Sequence, residues 1–313
     1  MVVQVLQSET EYPFAFASDI GLRTGAFEGT AWRAGYSHDS QDWEWYARHE
    51  DMDPGFRADL GFLPQVGYTF DLAGIERRWW GEKDDWYTTW EIGADWDRRE
   101  DADGIVLEEE VEAWIGVGGP LQSFYFLDVG QRERYWNGVT FDEEFVNLFL
   151  EMRPTGDVSL AFEAGFGDTI DFVNTRAADE ISLEPRLTWN VGRHLQLGLE
   201  HEYLRLDVEE GRLFEANLTE LRTVYQINIR TFVRAILQYE NVAFDPEIFG
   251  ANVSREEEHL FSQLLFSYKI NPQTVLFLGY SDNAFGAELR DRTIDLTRAD
   301  RTLFFKVGYA LVL

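Results

Sequence analysis

The chain contains no cysteine. That excludes a disulfide framework and thiolate metal sites, and it suits a protein that crosses a periplasm unfolded. No run of about 18 apolar residues occurs, so a transmembrane helix is excluded. Basic residues are scarce: 27 stand against 57 acidic ones, for a net charge of −30. Nucleic-acid binding through phosphate contacts needs the opposite balance. With 8 Pro and 26 Gly, the chain is not of low complexity. The histidines His38, His49, His194, His201 and His259 do not stand at metal-ligand spacing. No Gly-x-Ser-x-Gly elbow is present, so nothing marks an activated nucleophile and no enzyme is expected. No basic start with an apolar core and cleavage site precedes Val2.

What is abundant is alternation. Aromatic residues make up 15% of the chain, with 11 Trp, 13 Tyr and 24 Phe. Segment after segment places apolar residues at every second position. Ile181, Leu183, Pro185, Leu187, Trp189 and Val191 alternate with Ser182, Glu184, Arg186, Thr188 and Asn190. The same period runs through 86–97, 158–166, 221–230 and 259–270. At the end, Leu303, Phe305, Val307, Tyr309, Leu311 and Leu313 fall on one face, and Thr302, Phe304, Lys306, Gly308, Ala310 and Val312 on the other. Period two is the mark of a strand between two different environments. A mean hydropathy of −0.31 is compatible with lipid on one side, because barrel strands give every second residue to the lumen. A soluble sandwich would show the same alternation.

The connections separate these readings. Tight ones are expected at 38–42, 81–85, 118–121, 154–157, 192–194, 230–231 and 271–273. Longer, acidic ones are expected at 51–64, 99–104, 135–144, 168–180, 207–216, 243–258 and 282–301. The two kinds alternate from residue 38 onward. That is the pattern of a transmembrane antiparallel up-and-down β-barrel with short periplasmic turns and long outer loops, and the count is about 16 strands. A Greek-key sandwich mixes its loop lengths. Val2, Val3, Val5 and Leu6 read as the upper part of a strand whose beginning is missing, and residues 9–25 as an outer loop. One barrel domain is expected over 1–313, as a fragment whose signal peptide lies ahead of residue 1.

Trp43 to Pro64, above all Asp51-Met52-Asp53-Pro54-Gly55-Phe56 and Leu60-Gly61-Phe62-Leu63-Pro64, resembles the barrel domain of an uncharacterised bacterial outer-membrane family. Thr274 to Asn283 and the closing strand extend the resemblance. Members of that family carry a family-nine-type carbohydrate-binding domain ahead of a C-terminal barrel. The resemblance implies that a soluble domain is missing here, and with it any contact with glycans. The chain end is also similar to the sorting signal that the barrel-assembly machinery reads, with Lys306, Gly308, Leu311 and Leu313 in its places. An aromatic residue is usual where Leu313 stands.

Among candidate site residues, Glu108, Glu110, Glu112, Glu184, Arg186, Glu200, Glu202, Arg222, Arg230 and Arg234 fall on polar faces and would line a lumen. Like charges at alternate positions, as at Glu108, Glu110 and Glu112, persist only with water or cations beside them. Arg222, Arg230 and Arg234 lie far along the sheet from them. Asp51, Asp53 and Asp59 invite a calcium reading but lack the fifth and twelfth positions of an EF-hand loop, so a solvated acidic loop is the plainer one. No cofactor is expected beyond divalent cations shared between acidic outer loops and lipopolysaccharide. The function expected is an outer-membrane anchor or conduit for a carbohydrate-associated module. A pore for sugars or other small solutes, and a soluble acidic all-β binding module, are the alternatives.

Overall fold

The computed structural model describes residues 1–18, 21–58, 63–249, 253–271, 273–289 and 293–309. Sixteen strands form one antiparallel sheet in strict sequence order. They are β1 (Val2–Ser18), β2 (Gly21–Asp39), β3 (Trp43–Met52), β4 (Tyr68–Trp80), β5 (Thr89–Asp101), β6 (Val106–Gly119), β7 (Ser123–Trp136) and β8 (Val139–Thr155). The second eight are β9 (Val158–Asp171), β10 (Arg176–Val191), β11 (Leu195–Val208), β12 (Gly211–Asn228), β13 (Thr231–Phe244), β14 (Glu256–Asn271), β15 (Thr274–Glu288) and β16 (Thr293–Tyr309). A four-residue helix, α1 (Pro246–Phe249), sits between β13 and β14. This is the up-and-down order expected from the alternating connections.

Two compact units divide the chain, residues 1–117 with 127–146 and residues 118–126 with 147–313. In the first, register carries one polar face across β2 to β5: Arg33 pairs with Glu50, Glu50 with Phe70, and Phe70 with Arg99. Residues directly paired across an antiparallel ladder share a face. The opposite face of β5 reads Trp90, Ile92, Ala94 and Trp96 before it turns charged at Arg98 and Glu100. In the second unit the apolar face of β10 runs from Trp189 to Ile181 and turns charged at Asp179. That of β11 runs from Leu195 to Tyr203 and turns charged at Arg205 and Asp207. On β14 it ends at Glu258, on β15 at Asp282 and on β16 at Arg301. The runs on β10 and β11 are nine residues each, close to the 9–11 residues, roughly, that a tilted strand needs to cross a bilayer.

Strand reach differs from expectation. The connection placed at 135–144 is the two-residue turn Asn137-Gly138, with φ of 49° and 88°. Positive φ at both positions is a primed hairpin turn, which Asn-Gly tolerates best. Likewise only 172–175, 209–210 and 289–292 separate the strands where 168–180, 207–216 and 282–301 were expected as loops. Residues 9–18 belong to β1 and 21–25 to β2, so Val2 to Leu6 run on into a 17-residue strand where an outer loop was expected. The physical reason is that charged side chains on both faces do not interrupt backbone pairing, and paired amides and carbonyls are already satisfied. The outer connections therefore project as two-stranded ribbons. The strands on either side of the two longest outer connections end at Met52 and Phe244 and resume at Tyr68 and Glu256. At the other end, 81–88 is longer than the expected 81–85, which takes Trp86 and Thr88 out of β5.

Candidate functional site

The densest chemistry lies on the polar face of β3 to β8 in the first unit. Glu108, Glu110 and Glu112 stand on β6 as expected, facing Asp95 and Asp97 of β5. The cation beside Glu110 comes from the next strand along. Arg132 of β7 reaches Glu110 at 3.3 Å and Glu143 of β8 at 2.6 Å. Arg134 holds the second oxygen of Glu143 at 2.7 Å. The Glu143 side chain is 1% exposed, so this carboxylate and its two guanidiniums form a desolvated pair system. Arg132 also lies 5.4 Å from the centre of the Phe145 ring. Further toward the tight-turn end, Arg78 pairs with Glu44 and Glu76, and the Trp114 indole N–H donates to Glu76 at 3.0 Å. Tyr46 Oη donates to Asp95 at 2.8 Å.

Several aromatic rings of this face lie flat on the wall. Tyr46 rests on Gly74, Trp114 on Gly93, and Phe145 on Gly130; a Cβ at any of these glycines would meet ring atoms at 2.4 Å or less. Only a residue without Cβ leaves that space. The bulk of each ring is therefore taken up along the wall instead of standing out from it. Phe304 and Gly279 repeat the arrangement in the second unit.

In the second unit, Arg186 of β10 is the centre of a smaller group. It pairs with Glu163 of β9 and stands 4.0 Å from both Glu184 and Glu200. Glu202 follows Glu200 on the same face of β11. Arg222 meets Glu220 at 3.3 Å, and Arg234 donates to Gln263 at 2.8 Å. Arg230 departs from expectation: it lies in the turn 229–230, where its amide donates to Asn228 Oδ1 at 2.9 Å, and so does not line a strand face. The break expected from sequence, at 230–231, falls one residue later than the turn and so kept Arg230 on the strand.

Of the acidic residues Asp51, Asp53 and Asp59, two are described. Asp51 is the last residue but one of β3, and Asp53 Oδ1 accepts the Gly55 amide at 2.6 Å, a local turn contact. Asp59 lies outside the described residues, and among the described residues no group of three carboxylates or histidines could hold a metal ion. Lys306 and Gly308 stand on β16, while Leu311 and Leu313 lie outside the described residues. Arg132, Arg134 and Glu143 were missed from sequence, although Arg132 and Arg134 keep period two with Gly130 and Asp128. What sequence could not supply was the register that sets them beside Glu110.

The opposite face is apolar and exposed. Leu199 is 45% exposed, Leu237 46%, Leu264 51% and Leu303 73%. In the first unit Trp43, Trp45 and Trp79 stand on this face near the tight turns, and in the second Trp189 does, each at a place that suits an interfacial aromatic residue. The other limit of the band is marked by ion pairs such as Arg98–Glu109 at 3.2 Å and Arg298–Asp282 at 2.7 Å.

No protein-family model matches the chain, and no curated protein does. Among solved structures it is similar to the outer membrane channel DcaP of Acinetobacter baumannii, at 10% identity over 98% of this chain and 97% of that one, with a TM-score of 0.42. It is also similar to OmpT, an outer membrane protein of Vibrio cholerae, at 12% identity over 89% and 96%, with a TM-score of 0.36. The NanC porin aligns at 12% identity over 66% of this chain and 94% of that one, with a TM-score of 0.29. Likeness at this level carries no weight of its own, and the fold class, an all-β up-and-down antiparallel sheet of sixteen strands, rests on the pairing described above.

Proposed function

We propose that this protein is an outer-membrane β-barrel that forms a conduit for small solutes with a preference for cations. The observation that carries the reading is the exposed apolar face, bounded by aromatic residues at one limit and charged residues at the other. Soluble proteins seldom leave apolar patches larger than a few hundred Å² open to water; a bilayer covers such a face without cost. The polar face then lines the interior, and its excess of acids over arginines supports cation preference. Rings laid flat over glycines support an open path. The partners on this reading are outer-membrane lipid, lipopolysaccharide and the barrel-assembly machinery. If a soluble module precedes the barrel, as the family resemblance implies, the same barrel is its anchor.

The test is made on protein folded into detergent and then reconstituted. A closed barrel is expected to migrate faster on a denaturing gel before heating than after. In planar bilayers under a salt gradient it should give a cation-selective reversal potential, and the triple substitution Glu108→Gln, Glu110→Gln and Glu112→Gln should move that potential toward zero. Conductance with a potential that the triple change does not move would show that β6 does not line the path. A reconstituted, heat-modifiable barrel without conductance would leave the anchor reading in its place.

A further inference from the structure

The polar face changes character at the outer ends of β10 to β12. In mid-strand it carries Arg186, Glu200 and Glu202, but further out it carries Ala178, Leu204 and Leu206. Ala178, Leu206, Val208 and Leu213 are buried there, at 2–9% exposure, and Ile248 and Phe249 of α1 pack on them. The connection after β13 therefore folds back across the polar face and covers it. Apolar packing alone would let so short a helix slide. Its carbonyls are held by two side chains, Arg176 and Asn174, and Arg176 ties the most partners together. Arg176, the first residue of β10, meets Asp171 at 2.9 Å and Glu210 at 3.1 Å, and its Nη2 donates to the Ile248 carbonyl at 2.8 Å. Asn174 adds donations to Asp171 at 2.8 Å and to the Phe249 carbonyl at 3.3 Å. Asp171 is 3% exposed, so the hub is anchored on a buried charge.

We propose that Arg176 is the positioning residue for the mouth of the conduit: by tying three connections together it holds α1 over the inner face and limits the size of solute that passes on that side. The inference rests on the conduit reading above. A planar group with three separate partners is a task for arginine, because its donors leave in fixed directions. Lysine at this place would reach one partner at a time. Removing the hub should leave the strands folded, since the contacts named are made by side chains, and Arg176 with Asp171 is only the end rung of the β9–β10 ladder.

Two measurements on the folded protein test it, with Arg176→Ala and Arg176→Lys. Hydrogen exchange in a peptide covering residues 245–249 should quicken about tenfold or more in Arg176→Ala, as expected when charge-assisted bonds that restrain a segment are lost, and by less in Arg176→Lys. Exchange in β10 and β11 should be unchanged. In liposome swelling with sugars of increasing size, Arg176→Ala should raise the flux of the larger sugars more than that of the smaller ones. Unaltered exchange in 245–249 would overturn the positioning role. Faster exchange with an unaltered size profile would overturn its part in limiting solutes. A wild type that supports no swelling at all would sink the conduit reading instead, and the exchange data would still decide whether Arg176 holds α1. If Arg176→Ala does not fold, Glu210→Gln removes one partner at a position that is 60% exposed and should give the same two effects at smaller size.

Discussion

Leu187→Arg should destabilise the folded protein by about 2–4 kcal/mol, the cost of an arginine facing lipid near the bilayer midplane. Leu187 lies inside the apolar run of β10, paired with Leu160 on β9 and Leu199 on β11. With Leu150, Met152 and Phe162 these residues line a shallow apolar groove of about 310 Å³ on that face. An arginine there must bend to the interface or carry water into hydrocarbon. Thr188→Arg, one residue on and on the opposite face, should cost about 0.5 kcal/mol or less, the range of an ordinary exposed substitution. Folding titrations into lipid vesicles, run side by side, read both numbers. Equal penalties would mean that the two faces have been assigned wrongly, and with them the membrane reading. A soluble module would tolerate Leu187→Arg far better, so the same pair of variants separates the two classes of protein.

The second large effect is expected at Glu143. Its carboxylate is almost fully enclosed and accepts from Arg132 and Arg134. Glu143→Gln keeps the shape and removes the charge, leaving two guanidiniums with one formal partner between them at Glu110. Removal of one member of a buried ion pair costs about 3–5 kcal/mol. The arginines are 24% and 22% exposed, so water recovers part of this, and about 3 kcal/mol is the expected loss. Urea unfolding in the same vesicles measures it. A companion variant sets the scale: Glu144→Gln, the neighbour on the apolar face, should change stability by less than about 0.5 kcal/mol. A loss at Glu143 no larger than at Glu144 would show that the three-residue pair system does not stabilise β7 and β8.

Periodicity is a local property, and for that reason the sequence by itself determined most of the architecture. Each strand shows its own two faces without reference to any other, so Leu183, Leu187 and Trp189 could be set apart from Glu184 and Arg186 by counting in twos. The order of strands followed from the connections, because tight turns force neighbours in sequence to be neighbours in the sheet. Composition excluded the alternatives that need cysteines, a basic surface or a long apolar helix. The placing of Glu108, Glu110 and Glu112 on one face was legible for the same reason.

What only the tertiary structure decided is what depends on register and on where a strand stops. Arg132 and Arg134 are plain in the sequence, but nothing local says that they meet Glu110 and Glu143; a slip of one residue would turn them to the other face. The ends of the strands were misjudged where acidic residues were taken for loops, at 135–144 and 168–180, because charge on a side chain does not prevent its backbone from pairing. The fold-back of α1 was not legible either. Its four residues carry no helical period, and the apolar surface that receives them is assembled from β10, β11 and β12, with Ala178 of β10 standing 28 residues before Leu206 of β11 in the sequence. Arg176 joins connections that the chain order keeps separate, and its three contacts exist because antiparallel pairing returns every second connection to the same end of the sheet.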